Sequence, residues 1–280
     1  MKTIIKIFFV FLIISSFIIF SCNKTDSKIP NEIPLNQNTK MDSNKLSIQI
    51  LYDDIGYDTA ITPAYGFSCF IHFENENILF DTGTDGKILL ENMNKCGISP
   101  DSVEIVVISH NHYDHLGGLM DFFNENPEVK IYMSKEVFPN AGANAINQIK
   151  STVNLVKNQI VPVSDINNIY KISDNIYSTG FFGSGIPEQS LILDTEKGII
   201  IITGCAHQGI VNVVRRAKDY FNKPIFSLFG GFHLGSKSKI EIENIIKELK
   251  DLGVINCTPM HCTGQQSSEM IKSDFGNTLY

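Results

Sequence analysis

Basic clusters are missing from this 280-residue chain: its 23 lysines and arginines are scattered among 30 acidic residues, and the formal net charge is −7. Phosphate-backbone affinity needs a basic face, so nucleic acid is disfavoured as a partner. The densest basic group, Arg215, Arg216 and Lys218, falls in a stretch with helical patterning, where a solvated helix face accounts for it. Charged residues make up only 19% of the chain and hydrophobic ones 43%, globular values that support a substantial core. Long uninterrupted apolar runs are also lacking. The most apolar stretch, Ile7 to Phe20, is broken by Ser15-Ser16 and is short for a membrane span.

That stretch follows Lys2 and Lys6 and ends at Ser21-Cys22, the layout of an export signal. Ile19-Phe20-Ser21-Cys22 resembles a bacterial lipoprotein cleavage box, which predicts a signal over residues 1–21 and a lipid on Cys22. A plain cleaved signal or an uncleaved anchor is the alternative; either way the domain is exported, and the lipid reading places it in the cell envelope. Residues 22–44 are rich in Asn, Lys, Ser, Asp and Thr and nearly free of large apolar side chains, so they read as a flexible tether. The folded domain is expected over 45–280. Cysteine is scarce, and with Cys22 assigned to the lipid the remaining Cys69, Cys96, Cys205, Cys257 and Cys262 are odd in number and irregular in spacing. A disulfide framework is therefore not expected, with a Cys257–Cys262 bridge as the weaker alternative.

Within the domain, strand-like and helix-like runs alternate. Strands are expected at Ser47 to Tyr52, Cys69 to Phe73, Asn77 to Phe80, Val103 to Ser109 and Lys130 to Met133. A second set covers Tyr170 to Ile172, Ile176 to Thr179, Ser190 to Leu193, Gly198 to Thr203, Ile225 to Phe229 and Val254 to Asn256. Helices are expected at Gly86 to Cys96, His115 to Asn124, Ile210 to Phe221, Ile240 to Leu252 and Gln265 to Lys272. Phe138 to Asp165 is Asn-rich and weakly periodic, either a lid over a site or a surface excursion. Two mixed halves of similar size suggest two sheets packed face to face with helices outside.

The chemistry concentrates in His110-Asn111-His112-Tyr113-Asp114-His115-Leu116-Gly117-Gly118, which holds three of the seven histidines. In an extended segment His110 and His112 share one face and can meet one metal. Asp114 and His115, at the turn into the next helix, supply a carboxylate and an imidazole to a neighbouring position. Gly117 and Gly118 let the backbone pass closely. Thr203-Gly204-Cys205-Ala206-His207 and Pro259-Met260-His261-Cys262-Thr263-Gly264 each follow a strand and deliver another histidine. Phe80-Asp81-Thr82-Gly83 ends an earlier strand.

H-x-H-x-D-H between a strand and a helix, with D-T-G before it and the two later histidines in order, resembles the metallo-β-lactamase superfamily. S-H-x-H-Y-D-H-x-G-G-L, G-C-x-H-x-G-I, G-G-F-H-L and H-C-T-G are together similar to its ribofuranosylaminobenzene 5′-phosphate synthase-like branch of metal-dependent hydrolases. Asn111 departs from that branch, which usually has glycine there. The resemblance spans about Ser47 to Gly276. It implies an α/β, four-layer αββα sandwich holding two divalent metal ions, Zn²⁺ first and Mn²⁺ or Fe²⁺ as alternatives. It also implies a first metal on His110, His112 and His207, and a second on Asp114, His115 and His261. Cys205 is a further candidate ligand, or it merely packs beneath the site. Asp81 would orient a ligand from behind, and His233 would touch substrate, act as a replacement ligand or simply bond within its loop.

The reaction implied is hydrolysis of an ester, phosphoester or lactone by a hydroxide shared between the metals and steadied by Asp114. The partner is then a small-molecule substrate. A transferase of the synthase type and a non-catalytic metal- or ligand-binding lipoprotein are the alternatives; a β-lactam or an oxygen-reducing di-iron role has less in its favour. His72, inside a strand, reads as structural. Glu188 is expected near the pocket wall, and the loop Gly180 to Gly185 either cradles a phosphate or is simply mobile.

Overall fold

The computed structural model describes residues 46–54, 60–134, 150–152, 154–157, 160 and 168–276. The export signal, the tether and most of the Phe138–Asp165 segment lie outside these residues. Among the described residues no helix is long and apolar enough to cross a membrane.

Among the described residues eleven strands form two sheets. The first runs β1 (Ser47–Tyr52), β2 (Ser68–Phe73), β3 (Glu76–Phe80), β4 (Ile105–Val107) and β5 (Lys130–Tyr132), in that spatial order. The second is ordered β11 (Val254–Met260), β10 (Ile225–Gly231), β9 (Gly198–Thr203), β8 (Leu191–Thr195), β7 (Ile176–Ser178) and β6 (Tyr170–Ser173). In each sheet antiparallel hairpins lead into a parallel trio: β3, β4 and β5 in one, β9, β10 and β11 in the other. Helices α1 (Gly86–Lys95), α2 (Tyr113–Leu116) and α3 (Leu119–Glu125) belong to the first half. Helices α4 (Ile210–Phe221), α5 (Lys239–Asp251) and α6 (Gln265–Phe275) belong to the second.

Side-chain alternation dictates the layering, because successive strand residues face opposite ways. In β9, Ile200 and Ile202 enter the core between the sheets, where they meet Ile78, Phe80 and Val107. Ile199 and Ile201 point outward onto Val213, Val214 and Ile246 of the covering helices. The first sheet does the same: Ile105 and Val107 face inward, while Val106 and Ile108 pack with Leu89, Leu119 and Phe122. Strands apolar on both faces can be stable only between two covers. The result is the expected four-layer αββα sandwich.

Several expected elements have different limits: the strand expected at Val103 to Ser109 is only Ile105–Val107, and two others differ for a physical reason. The helix read as His115 to Asn124 is two, α2 and α3, separated by Gly117-Gly118. A Cβ at either glycine would collide with the carbonyl of Thr84 or Thr82, so these glycines serve helix-to-loop packing instead of a passage beside metals. The last strand runs through Pro259 to Met260, well past Asn256. It is an edge strand, where a proline without an N–H is tolerated.

Candidate metal centre

The parallel strands of both sheets end at one rim, the usual place for a site in an open α/β sheet. There β3 delivers Asp81, β4 the loop from Ser109 to His115, β9 Cys205 and His207, β10 His233 and β11 His261. The two sheets approach so closely that a Cβ on Gly204 would strike the Ser109 hydroxyl and lie 3.0 Å from Asp81 Oδ2. Of the seven non-glycine residues with positive φ among those described, Asp81, Ala206, His233 and His261 line this rim. Such strain persists only where surrounding contacts enforce it, and it gathers at functional sites.

The predicted residues assemble into two adjoining groups. Ligand atoms of His110, His112 and His207 lie within 4.8 Å of one another, and so do those of Asp114, His115, Cys205 and His261. The rings of His110 and His115, one from each group, are 4.3 Å apart. His110 Nε2 and His207 Nε2 are buried with no hydrogen-bond partner. Leaving such an atom buried and unpaired costs about 1–3 kcal/mol, so lone pairs gathered this closely suit a shared cation. Burial, reinforced by neighbouring imidazoles, holds His110 well below the usual imidazole range and His207 down at about 3. Both are thus neutral, the form that ligates. Imidazoles, one carboxylate and one thiol therefore fit a pair of divalent cations.

Behind the groups is a set of orienting bonds. Asp81 accepts from the Ser109 N–H at 2.6 Å and the Ser109 hydroxyl at 2.8 Å. Its Oδ2 also takes His115 Nδ1 at 2.7 Å, so the lone pair of His115 Nε2 is turned toward Cys205 Sγ, 3.2 Å away. His110 Nδ1 is engaged by Ser109 Oγ at 3.0 Å, which points Nε2 into the first group. His261 is held by Asp54 Oδ1 at Nδ1 (2.8 Å) and by Asp53 Oδ1 at its backbone N–H (2.9 Å), and its Nε2 is 3.1 Å from Asp114 Oδ2. Burial alone would lower the His261 pKa, but bonds to Asp114 and Asp54 outweigh it and push it up to about 10. For Asp114, burial pulls upward but the bond from His261 and the charge of His115 win, keeping it well below the carboxylate range.

Glu188 does not line the pocket. It is fully buried and accepts the backbone N–H groups of Cys205, Ala206 and His207 at 2.8–2.9 Å, stapling the loop that carries two donors. Burial lifts its pKa to about 7 against the pull of those N–H groups. Asp53 and Asp54 also escaped the sequence reading; the only signal was an acidic pair at the end of β1. His233 sits exposed at the mouth, its ring 4.6 Å from that of His207. Asn111 is buried and donates to the Ser134 carbonyl at 3.0 Å, tying the ligand loop to the chain after β5. His72 is 2.7 Å from Asn77 on the β2–β3 hairpin, a structural role as expected. Cys257 and Cys262 are free thiols. A cavity of about 540 Å³ opens beside His207, with Phe182, Ser184, Gln208, Arg215 and Arg216 on its walls. The 180–185 loop thus supplies part of its lining.

Residues 61–172 match the family model described as Metallo-beta-lactamase superfamily. An uncharacterized protein of Methanocaldococcus jannaschii is 30% identical over 83% of this chain and 96% of its own length. The chain belongs to the metallo-beta-lactamase superfamily. A second relative is the 7,8-dihydropterin-6-methyl-4-(beta-D-ribofuranosyl)-aminobenzene-5′-phosphate synthase of the same organism, 28% identical over 84% of this chain and 93% of that protein. A solved metal-dependent hydrolase of the beta-lactamase superfamily superposes with a TM-score of 0.65, at 28% identity over 82% of this chain and 93% of that one. The metallo-beta-lactamase fold protein YhfI of Bacillus subtilis shares the fold at 11% identity and a TM-score of 0.57, covering 83% and 95%.

Proposed function

We propose that this protein is a hydrolase of small ester, phosphoester or lactone substrates that works with two divalent cations, zinc by donor preference. The observation that carries the reading is the pair of adjoining donor groups, with buried imidazole nitrogens that no protein group partners. His110, His112 and His207 would hold one cation; Asp114, His115 and His261, with Cys205 beside them, the other. When bound, such a pair supplies Lewis acidity and brings the pKa of a water to near 7.

The chain's own residues do the rest. Asp81, Asp54 and Ser109 fix which imidazole nitrogen faces inward, so no reorientation is needed during reaction. Asp114, half-sheltered and anionic, offers a carboxylate oxygen to orient an attacking water. His233, exposed at the rim beside His207, is placed to touch substrate or to give a proton to a leaving group. The adjoining cavity has the volume of a small-molecule site. Support also comes from the metal-dependent hydrolase that superposes over most of its length.

The test is turnover of a panel of chromogenic esters, phosphoesters and lactones by the zinc-loaded chain. His112→Ala and Asp114→Ala should each lower kcat/KM by at least about 10³ with circular dichroism unchanged; retained turnover in both variants overturns the reading. A transferase of the synthase type is the second reading, favoured by 28% identity across 93% of that relative. A condensation product formed by the purified chain would establish it. Location in the cell envelope, anchored through Cys22, is supported by the Lys2–Cys22 pattern; the mass of the matured N-terminus in cells checks it.

A further inference from the structure

Cys205 and Cys262, 57 positions apart, bring their sulfurs to 3.2 Å at the floor of the second donor group. Both are free thiols, Cys205 buried and Cys262 partly exposed. The approach crosses the end of β10 and depends on Gly231, since a Cβ there would sit 2.8 Å from Cys262 Sγ. Gly231 in turn is bonded to the Gly204 carbonyl at 3.0 Å and lies in register with Met260 of β11, so the segments carrying the two thiols are both tied to β10. The same Cys205 sulfur is 3.2 Å from His115 Nε2, inside the group that would take the second cation. One sulfur is therefore shared between two possible partners, a cation and a second sulfur.

We propose that Cys205 and Cys262 form a reversible oxidation site for low-molecular-weight disulfides, and that its closure withdraws a donor from the second cation position. This rests on the two-cation reading above. The partly exposed Cys262 thiolate attacks one sulfur of the small disulfide, which leaves as a thiolate. The Cys205 thiolate then attacks the Cys262 sulfur of the mixed disulfide and expels the second small thiolate. Two protein thiols become one disulfide, the small disulfide becomes two thiols, and two electrons pass between them. The sulfurs must close by about 1.2 Å to reach the S–S length of ~2.05 Å. Cation binding and disulfide formation compete for the same sulfur, so each opposes the other by linkage.

The experiment takes the full chain, stripped of metal and reduced, and exposes it to oxidised glutathione. Non-reducing peptide mass spectrometry should find Cys205 joined to Cys262. On reloading, zinc bound per chain should fall from two equivalents to one and recover with dithiothreitol. Preloading with zinc should slow formation of the linked peptide at least tenfold. In Cys262→Ser, zinc uptake should be indifferent to the oxidant. Glutathione adducts without a linked peptide overturn the proposal, as does a linked peptide that leaves zinc uptake at two. Oxidant-induced zinc loss in Cys262→Ser equal to that of the natural chain overturns it as well. A reduced chain that binds no zinc refutes the two-cation reading, and the linked peptide alone then decides the oxidation site.

Discussion

Asp81 shows how a residue can matter without touching a cation. Its carboxylate receives His115 Nδ1 and both donors of Ser109, while its own backbone has a positive φ of 57°. Asp81→Asn keeps the shape but weakens the hold on His115. Affinity at the second position should fall about 10–100-fold with the first position nearly unchanged, as competition against a chromophoric chelator would show. Equal loss at both positions would mean that Asp81 supports the whole rim instead. His261 gives a second expectation. Without cations its raised pKa keeps the ring charged through neutrality, stabilising the fold below the ordinary imidazole pKa and losing that contribution as pH climbs through about 10. Ligation must expel this proton, so affinity at the second position should rise at least about tenfold per pH unit between pH 7 and 9. Binding that does not change over this range would show that His261 stays protonated and is no ligand.

What could be read in advance follows from how each element is specified. The donors at 110–115 sit in one short segment, and alternating apolar residues in β4 and β9 announce strands, so the donor cluster and the sheets were legible. Glu188 was misplaced because its role lies in three N–H groups of a loop that sequence distance does not reveal. Asp53 was invisible for the same reason, since it reaches the His261 backbone 208 positions away. The split between α2 and α3 depends on the carbonyls of Thr82 and Thr84, also remote in sequence. Helix α5 was clear apart from one residue at each end. It starts on a capping box in which Ser238 accepts the Glu241 N–H and Glu241 reaches back. Ser238→Ala should cost about 1 kcal/mol in urea unfolding while metal stoichiometry stays the same. A change in metal uptake would reveal coupling between this helix and the rim.

The molecule as a whole is held by apolar contact in three clusters, and at its rim two buried imidazole nitrogens, on His110 and His207, have no protein partner. Binding to the folded state alone contributes about 4 kcal/mol at a thousandfold excess over Kd, which for a domain of this size is a rise of roughly 10 °C in Tm. Calorimetry with and without zinc checks this, and an unchanged Tm would mean that no cation binds the native chain. Asp114 and His261, which meet at 3.1 Å, come from opposite sheets and are 147 positions apart. Neither half of the chain owns a complete set of donors. A nascent or clipped polypeptide can carry every ligand and still have nowhere to put the ions. On the two-cation reading, cation capture would follow the meeting of the two halves and would report it.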